Sequence, residues 1–288
     1  MLMRDPLFSI VIANYNYGHF LAEAIESIIQ QSCSDYELIV VDGGSTDHSV
    51  SIINRYASHI AWWCSEEDRG QSHAFNKGFA RAQGRFLTWL NADDILLPEA
   101  LEKARIYLQR HRQCQWLAGN TIFVDSALRI QRCAVGPPWV EWLGWRVAPY
   151  IYGPSSFFAR ELFQASRGFD ESLRYGMDGD LWGQFQLLGA KYRRLMHFCW
   201  AFRMHDESIT SHAFASAPSA DFQKEREEIA RRYASSYTPL ARAALVGVKT
   251  LTAYPATVWN TWRWRNINLA EYIKATRRSA GRIAGCRQ

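Results

Sequence analysis

The chain has 288 residues, 48% of them hydrophobic and 21% charged. That balance excludes a largely disordered chain, and 18 Gly and 9 Pro exclude a collagen-like or Pro-rich low-complexity one. The net charge of +5 is uneven: from Pro239 to Gln288 nine basic residues accompany one acid, Glu271, so this tail carries +8 and the first 238 residues sum to −3.

The cysteines (Cys33, Cys64, Cys114, Cys133, Cys199 and Cys286) are scattered, with no C-x-x-C pair. This argues against a disulfide framework or a zinc knuckle and for buried thiols in a reducing compartment. Asp5 and Pro6 interrupt the N-terminus, so no secretory signal is expected. The most apolar stretch, Leu240 to Val258, is broken by Arg242, Lys249 and Pro255. No transmembrane helix is expected there.

Phe8 to Ala13 is a short apolar run, β-branched in its middle, and predicts a strand buried on both faces. Leu21, Ala24, Ile25, Ile28 and Ile29 have helical spacing. Tyr36 to Val41 predicts a second buried strand, and Asp42 to Asp47 a turn that caps the next helix. A third strand is expected at Ile60 to Cys64, a helix at Gln71 to Ala82, a fourth strand at Arg85 to Leu90 and a helix at Pro98 to His111. Strand character returns at Trp116 to Val124. This alternation predicts βαβ units around a mostly parallel sheet.

Ligands of such sheets bind outside the carboxyl ends of the strands. Polar clusters fall at four of those ends: Asn14-Tyr15-Asn16, Asp42-Gly43-Gly44, Glu66 to Arg69, and Asp93-Asp94. Beyond Val124 the rhythm is lost. Trp139, Trp142 and Trp145 are spaced for one helix face, as a core stripe or a ligand-stacking surface. A boundary is expected near His212, dividing residues 1–212 from a helical extension over 213–288.

Two adjacent carboxylates repel each other unless a cation lies between them, and Mg²⁺ takes one or two carboxylates plus phosphate oxygens. Asp93-Asp94 therefore reads as a metal site or, more simply, as a turn and cap before the next helix.

Seven segments together resemble the family 2 glycosyltransferases of GT-A fold. They are SIVIANYN from Ser9, VVDGGSTD from Val40, EEDRGQSHAFNKG from Glu66, WLNADD from Trp89, GPSSFFARELF from Gly153, GFDESLRYGMDGDLW from Gly168 and FRMHDESIT from Phe202. The resemblance implies an α/β GT-A (Rossmann-like) sheet flanked by helices. It also implies transfer of a sugar from a nucleotide-diphosphate sugar with inversion, assisted by Mn²⁺ or Mg²⁺.

By the same resemblance Ala13, Asn14, Tyr15 and Asp42 meet the nucleotide, and Arg69 and Lys77 line the donor site. Asp93 contacts the donor and, with Asp94 and His205, holds the metal. Asp178 is the base, with Asp180 as the alternative; Asp170 and Glu171 read as turn residues. His205 read without the family is a core histidine. Three positions depart from the pattern. Gly43 stands where many members have Asp, Asn91 stands where many have the first Asp, and His73 replaces an Asp.

The basic tail, with Trp259, Trp262 and Trp264 among Arg263 and Arg265, suits an anionic membrane surface. No nucleic-acid motif accompanies it. A cytoplasmic enzyme, peripheral on the inner membrane face and acting on a lipid-linked or growing glycan, is the expectation. The alternatives are a non-catalytic nucleotide-sugar-binding subunit and a nucleotidyltransferase.

Overall fold

A computed structural model describes residues 5–138, 151–208, 219–233, 250–251 and 253–285, with the backbone alone for 278–285. Trp139, Trp142, Trp145, His212 and Cys286 lie outside the described residues.

Strand β1 (Phe8–Asn14) buries Phe8, Ile10, Val11 and Ile12 completely, as expected for a strand covered on both faces. Helix α1 (Gly18–Ile29) buries Leu21, Ala24, Ile25 and Ile28, one face at helical spacing. Strand β2 (Tyr36–Asp42) leads to α2 (Ser49–Arg55), β3 (Trp62–Ser65) and α3 (Gln71–Arg81). Asp47 serves two helices at once. Its Oδ1 accepts the Ser49 N–H at 2.9 Å, at the start of α2, and its Oδ2 accepts the Gly18 N–H at 2.8 Å, at the start of α1.

Strand β4 (Phe86–Asn91) ends in a tight turn to the short β5 (Ile95–Leu96). The helix expected from Pro98 begins two residues later, as α4 (Ala100–Arg110). Glu99 has a φ of 63°, a left-handed conformation that a right-handed helix cannot include, so Pro98 belongs to the turn.

The first four strands are parallel and ordered β3-β2-β1-β4. The chain therefore steps outward from β1 twice, then returns to its other side. This reversal leaves a crevice beyond the carboxyl ends of β1 and β4, the usual ligand position in such sheets. Helix α3 lies close on the sheet because Gly78 has no side chain. A Cβ there would meet Val11 Cγ1 at 2.4 Å and Val41 Cγ2 at 3.2 Å.

The rest of the sheet is mixed, which explains why the alternating rhythm stops. Strand β6 (Trp116–Asp125) pairs along one edge with β8 (Ser156–Ala159) and then β7 (Ile130–Ala134), both antiparallel. Its other edge pairs with β9 (Arg193–Met204), parallel. Between them lie α5 (Arg160–Ala165) and α6 (Met177–Leu187). An aromatic stack fills the core: Trp182 lies 4.8 Å from Trp116 and 5.8 Å from Trp89 between ring centroids. The Trp182 indole N–H donates to the Ile151 carbonyl at 3.1 Å, so burial leaves no orphan donor there.

Among the described residues three helices follow: α7 (Ala220–Tyr233), α8 (Tyr254–Trp264) and α9 (Leu269–Gly285). Helix α7 packs on α6 where glycines make room: a Cβ at Gly176 would meet Ile229 Cδ1 at 2.3 Å, and one at Gly183 would meet Tyr233 Cδ2 at 2.4 Å. Helix α9 buries Leu269 and Tyr272 in a second, smaller core with Ile95, Ile122, Val124 and Ala201.

Replacing Gly78 by Val should destabilise the protein by about 1–3 kcal/mol through overpacking, despite the better helix propensity of Val. Urea unfolding measures this. An unchanged midpoint would mean that α3 does not need its close seat on β1.

Candidate active site

The carboxyl ends of β1, β2 and β4 and the last residues of β9 converge on one edge. There the His205 Nε2 lies 2.9 Å from the Asp93 Oδ2, and both side chains are nearly buried. Helix α1 boxes the imidazole between two rings. Phe20 lies 4.8 Å from it and Tyr17 5.7 Å, centroid to centroid. Burial first, and then the charge of Asp93, push the Tyr17 phenol well above its ordinary value, so it stays neutral. A core histidine would be satisfied by the backbone; this one faces a carboxylate.

Asp94 points the other way. It is fully buried; its Oδ1 accepts the Arg203 backbone N–H at 2.9 Å and its Oδ2 accepts the Asn91 amide at 2.9 Å. Burial, and then the neighbouring Asp93, hold its carboxyl well above the usual range, against those two hydrogen bonds. Asn91 suits its place for this reason: it donates to Asp94 while its own Oδ1 accepts from the Gln71 amide at 2.7 Å. An ionised Asp at 91 could not donate.

Arg203 escapes a reading by motif but holds the edge together. Its Nε donates to the Asp93 carbonyl at 2.8 Å, its Nη2 pairs with Glu23, and its guanidinium lies 4.6 Å from the Phe20 ring centroid.

Asp42 is likewise buried and saturated. Its Oδ1 accepts from the Asn14 amide and the Ser45 hydroxyl, both at 2.6 Å. Its Oδ2 accepts from the Ser45 N–H at 2.9 Å and the Ser65 hydroxyl at 2.6 Å. It thus ties β1, β2 and β3 together at their ends. The buried Asn14 Oδ1 has no partner among the described residues.

Ala13 is half-buried and the Tyr15 ring is 60% exposed, beside Gly43. A Cβ at Gly43 would come within 2.5 Å of Asp68 Oδ2 and 3.3 Å of the Tyr15 ring. The Asp68 carboxylate thus occupies the space that a side chain at position 43 would enter.

Arg69 pairs with Glu171 at 2.6 Å and Lys77 with Glu66 at 2.9 Å, each pair joining an exposed side chain to a half-buried one. Glu171 is thus more than a turn residue. His73 accepts the Arg69 N–H at 3.3 Å and supports the entry to α3.

Asp178 lies in the first turn of α6. The start of α3 ties that turn to the same edge: the Gln71 amide donates to Asn91, and the Ser72 hydroxyl lies 3.4 Å from Met177 Sδ. Asp178 Oδ1 accepts the Gly179 N–H at 2.7 Å. Desolvation pushes its carboxyl up to about 6, while backbone N–H groups of Gly179, Asp178 itself and Gly153 pull the other way.

Its neighbour Asp180 is spent on structure. Fully buried, it accepts from the Tyr233 hydroxyl at 2.7 Å, Arg232 at 2.9 Å and Gln184 at 2.7 Å.

Among the described residues no group of three or more His, Cys, Asp or Glu side chains is close enough to hold a metal. Asp93 and His205 offer one hard oxygen and one imidazole nitrogen. That partial donor set fits a divalent cation that completes its shell with diphosphate oxygens. A depression of about 550 Å³ is lined by Arg112, Lys191 and Arg193 and by none of these residues.

The architecture matches solved glycosyltransferases. S. aureus TarS 1–349 in complex with UDP-GlcNAc superposes with a TM-score of 0.64 at 20% identity, over 82% of this chain and 68% of that one. The mannosyltransferase PcManGT from Pyrobaculum calidifontis, in complex with GDP-Man and Mn²⁺, gives 0.55 at 17%, over 86% and 81%. The fold is that of the GT-A glycosyltransferases.

Residues 9–131 match the family model described as Glycosyl transferase family 2. An uncharacterized glycosyltransferase of Nostoc sp. is 39% identical over 98 residues, 33% of this chain and 30% of its own. A PGL/p-HBAD biosynthesis glycosyltransferase of Mycobacterium tuberculosis is 33% identical over 131 residues, 44% of this chain and 51% of its own. The chain spans a third to a half of the length of these curated relatives.

Asp180→Ala should destabilise the fold and leave the edge chemistry in place. The loss should lie below the roughly 3–5 kcal/mol of a broken, fully buried pair, because Arg232 keeps access to water. Thermal unfolding with and without donor tests this: a lower melting temperature is expected, with the donor-induced rise retained.

Proposed function

We propose that the chain is an inverting glycosyltransferase. It would move a sugar from a nucleotide-diphosphate sugar to a hydroxyl of a lipid-linked or growing glycan. The observation that carries this reading is the convergence at one sheet edge of the Asp93–His205 pair and Asp178, a desolvated carboxylate with backbone N–H groups as its polar partners.

Asp178 is the base in this reading. Its carboxylate takes the proton of the acceptor hydroxyl as that oxygen bonds to the anomeric carbon. The bond from that carbon to the diphosphate oxygen breaks on the opposite face. One displacement inverts the centre and requires no enzyme nucleophile. A carboxyl near 6 is tuned for such work, being ionised at neutral pH yet more basic than a solvated Asp. General-base catalysis of this kind contributes about 10²–10⁴-fold.

Asp93 and His205 are the residues that would hold a divalent cation, with Asp94 as the buried brace behind them. Such a cation, when bound, supplies neutralisation of the charge that develops on the departing diphosphate. Ala13, Asn14, Tyr15 and Asp42 form the nucleotide end, with Asp68 beside the gap at Gly43. Arg69 and Lys77 exchange their glutamate partners for the donor. Each pair keeps one partner in water, where such pairs are worth about 0–1 kcal/mol, so the exchange costs little.

The complexes of TarS with UDP-GlcNAc and of PcManGT with GDP-Man and Mn²⁺ put those two donors first in a screen. A donor bound to the native state raises the melting temperature by mass action. The rise should need Mn²⁺ or Mg²⁺, vanish in EDTA, and be lost in Asp93→Asn. A rise insensitive to EDTA and to Asp93→Asn would remove the metal from this reading.

Asp178→Asn should cut transfer about 10²–10⁴-fold with the donor-induced shift retained. Because Asp178 must be ionised, wild-type transfer should fall as pH drops through about 6, and that limb should disappear from the residual activity of the variant. Released nucleoside diphosphate marks glycosyl transfer. Pyrophosphate would mark a nucleotidyltransferase, and donor binding without any product a binding subunit.

A further inference from the structure

Five large apolar side chains between residues 251 and 262 face outward: Leu251, Tyr254, Val258, Trp259 and Trp262. Four of them lie on α8, where Tyr254, Val258 and Trp262 are four residues apart and form one stripe with Trp259 beside it. Trp259 is 57% and Trp262 74% exposed, with their ring centroids 5.4 Å apart.

The stripe is not a core face left short of a partner, because the inward face of α8 is already engaged. The Thr261 hydroxyl accepts the Cys133 N–H of β7 at 3.0 Å, and the Thr257 hydroxyl accepts the N–H of Val135, just past the end of β7, at 3.1 Å. The Trp264 ring packs edge-on against Tyr272 at 4.9 Å. These contacts fix the rotation of α8 about its axis, so the direction of the aromatic stripe is part of the fold.

We propose that the outward face of α8 docks on an anionic membrane surface, with Tyr254, Val258, Trp259 and Trp262 entering the headgroup boundary and Arg263 and Arg265 meeting lipid phosphates. Aromatic rings flanked by cations match that boundary, where ring bodies meet acyl chains and guanidinium groups meet anionic headgroups. No acidic residue occurs from Leu240 to Ala270. A second copy is a poor occupant, since a two-fold contact would set two segments of +8 against each other.

Docking in this way would hold the lipid beside the end of the sheet that carries the site. Strand β8 is antiparallel to both β4 and β6, so β6 runs in the direction of β4. The β6–β7 hairpin thus lies toward the edge that carries Asp93. The end of α8 is fastened there, through Asn266 N–H to Ile130 O at 2.7 Å and Leu269 N–H to Leu128 O at 2.8 Å. That consequence for a lipid-borne acceptor rests on the proposed function; the docking itself does not.

The test is co-sedimentation of the full chain with phosphatidylcholine vesicles, with and without phosphatidylglycerol. Wild type should pellet with the anionic vesicles. Trp259→Ser with Trp262→Ser should weaken this at least about tenfold. Arg263→Glu with Arg265→Glu should weaken it comparably, on anionic vesicles alone. Both variants should keep the wild-type melting temperature and donor-induced shift, so that failure here is separable from failure of the catalytic reading.

Three results would overturn the inference. They are no vesicle binding by wild type, vesicle binding unchanged by the tryptophan pair, and a dimer in analytical ultracentrifugation that the tryptophan pair abolishes.

Discussion

A carboxylate without access to water, Asp94, sets the geometry of the candidate site. An ionisable group at that depth must be hydrogen-bonded or it destabilises the fold by several kcal/mol. The Arg203 N–H and the Asn91 amide provide those bonds and use both of its oxygens. Its neighbour Asp93 is then the carboxylate left to face His205. Arg203 extends the brace, gripping the Asp93 carbonyl and Glu23 while its guanidinium lies against Phe20. Phe20 in turn flanks the imidazole. The β4–β5 turn, β9 and α1 therefore meet at one point, and none can shift without moving the Asp93–His205 pair.

The acidic residues divide by how fully the chain satisfies them. Asp42, Asp94 and Asp180 are fully buried and accept hydrogen bonds at both oxygens, and each joins elements distant in sequence. Asp93 and Asp178 keep acceptor capacity in hand. Two carboxylates only two residues apart, Asp178 and Asp180, thus have different fates. One turns to the Gly153 loop and the other to Arg232 and Tyr233 on α7. This is the logic by which a fold keeps some carboxylates for structure and others for chemistry.

Much of this was readable in advance, for physical reasons. The alternation of buried strand and amphipathic helix from β1 to α4 follows from a sheet covered on both faces, where apolar runs and helical spacing are hard to mistake. Four polar clusters at four strand ends located the edge. The glycosyltransferase motifs named Asp93, Asp178 and His205, which the fold brings to that edge. They did not distinguish Asp93 from Asp94, because adjacent residues in a turn point apart and spacing carries no direction. Arg203, Phe20 and Glu23 were invisible as a group, since their contacts span about 180 residues of chain. The mixed part of the sheet was unreadable for a related reason: β6 draws its partners from three separate segments, and no local pattern records which.

The hydroxyls of Thr257 and Thr261 have an effect beyond orienting a helix. The outer edge of β7 carries backbone donors that would otherwise invite a foreign strand. Two threonine side chains, together with the main chain around Asn266 and Ile267, occupy the donors of Ile130, Cys133 and Val135. The sheet is thereby closed on that side without another strand. A chain shorn of its last helices would present an open β-edge as well as a missing surface, and its first defect would be self-association rather than lost chemistry.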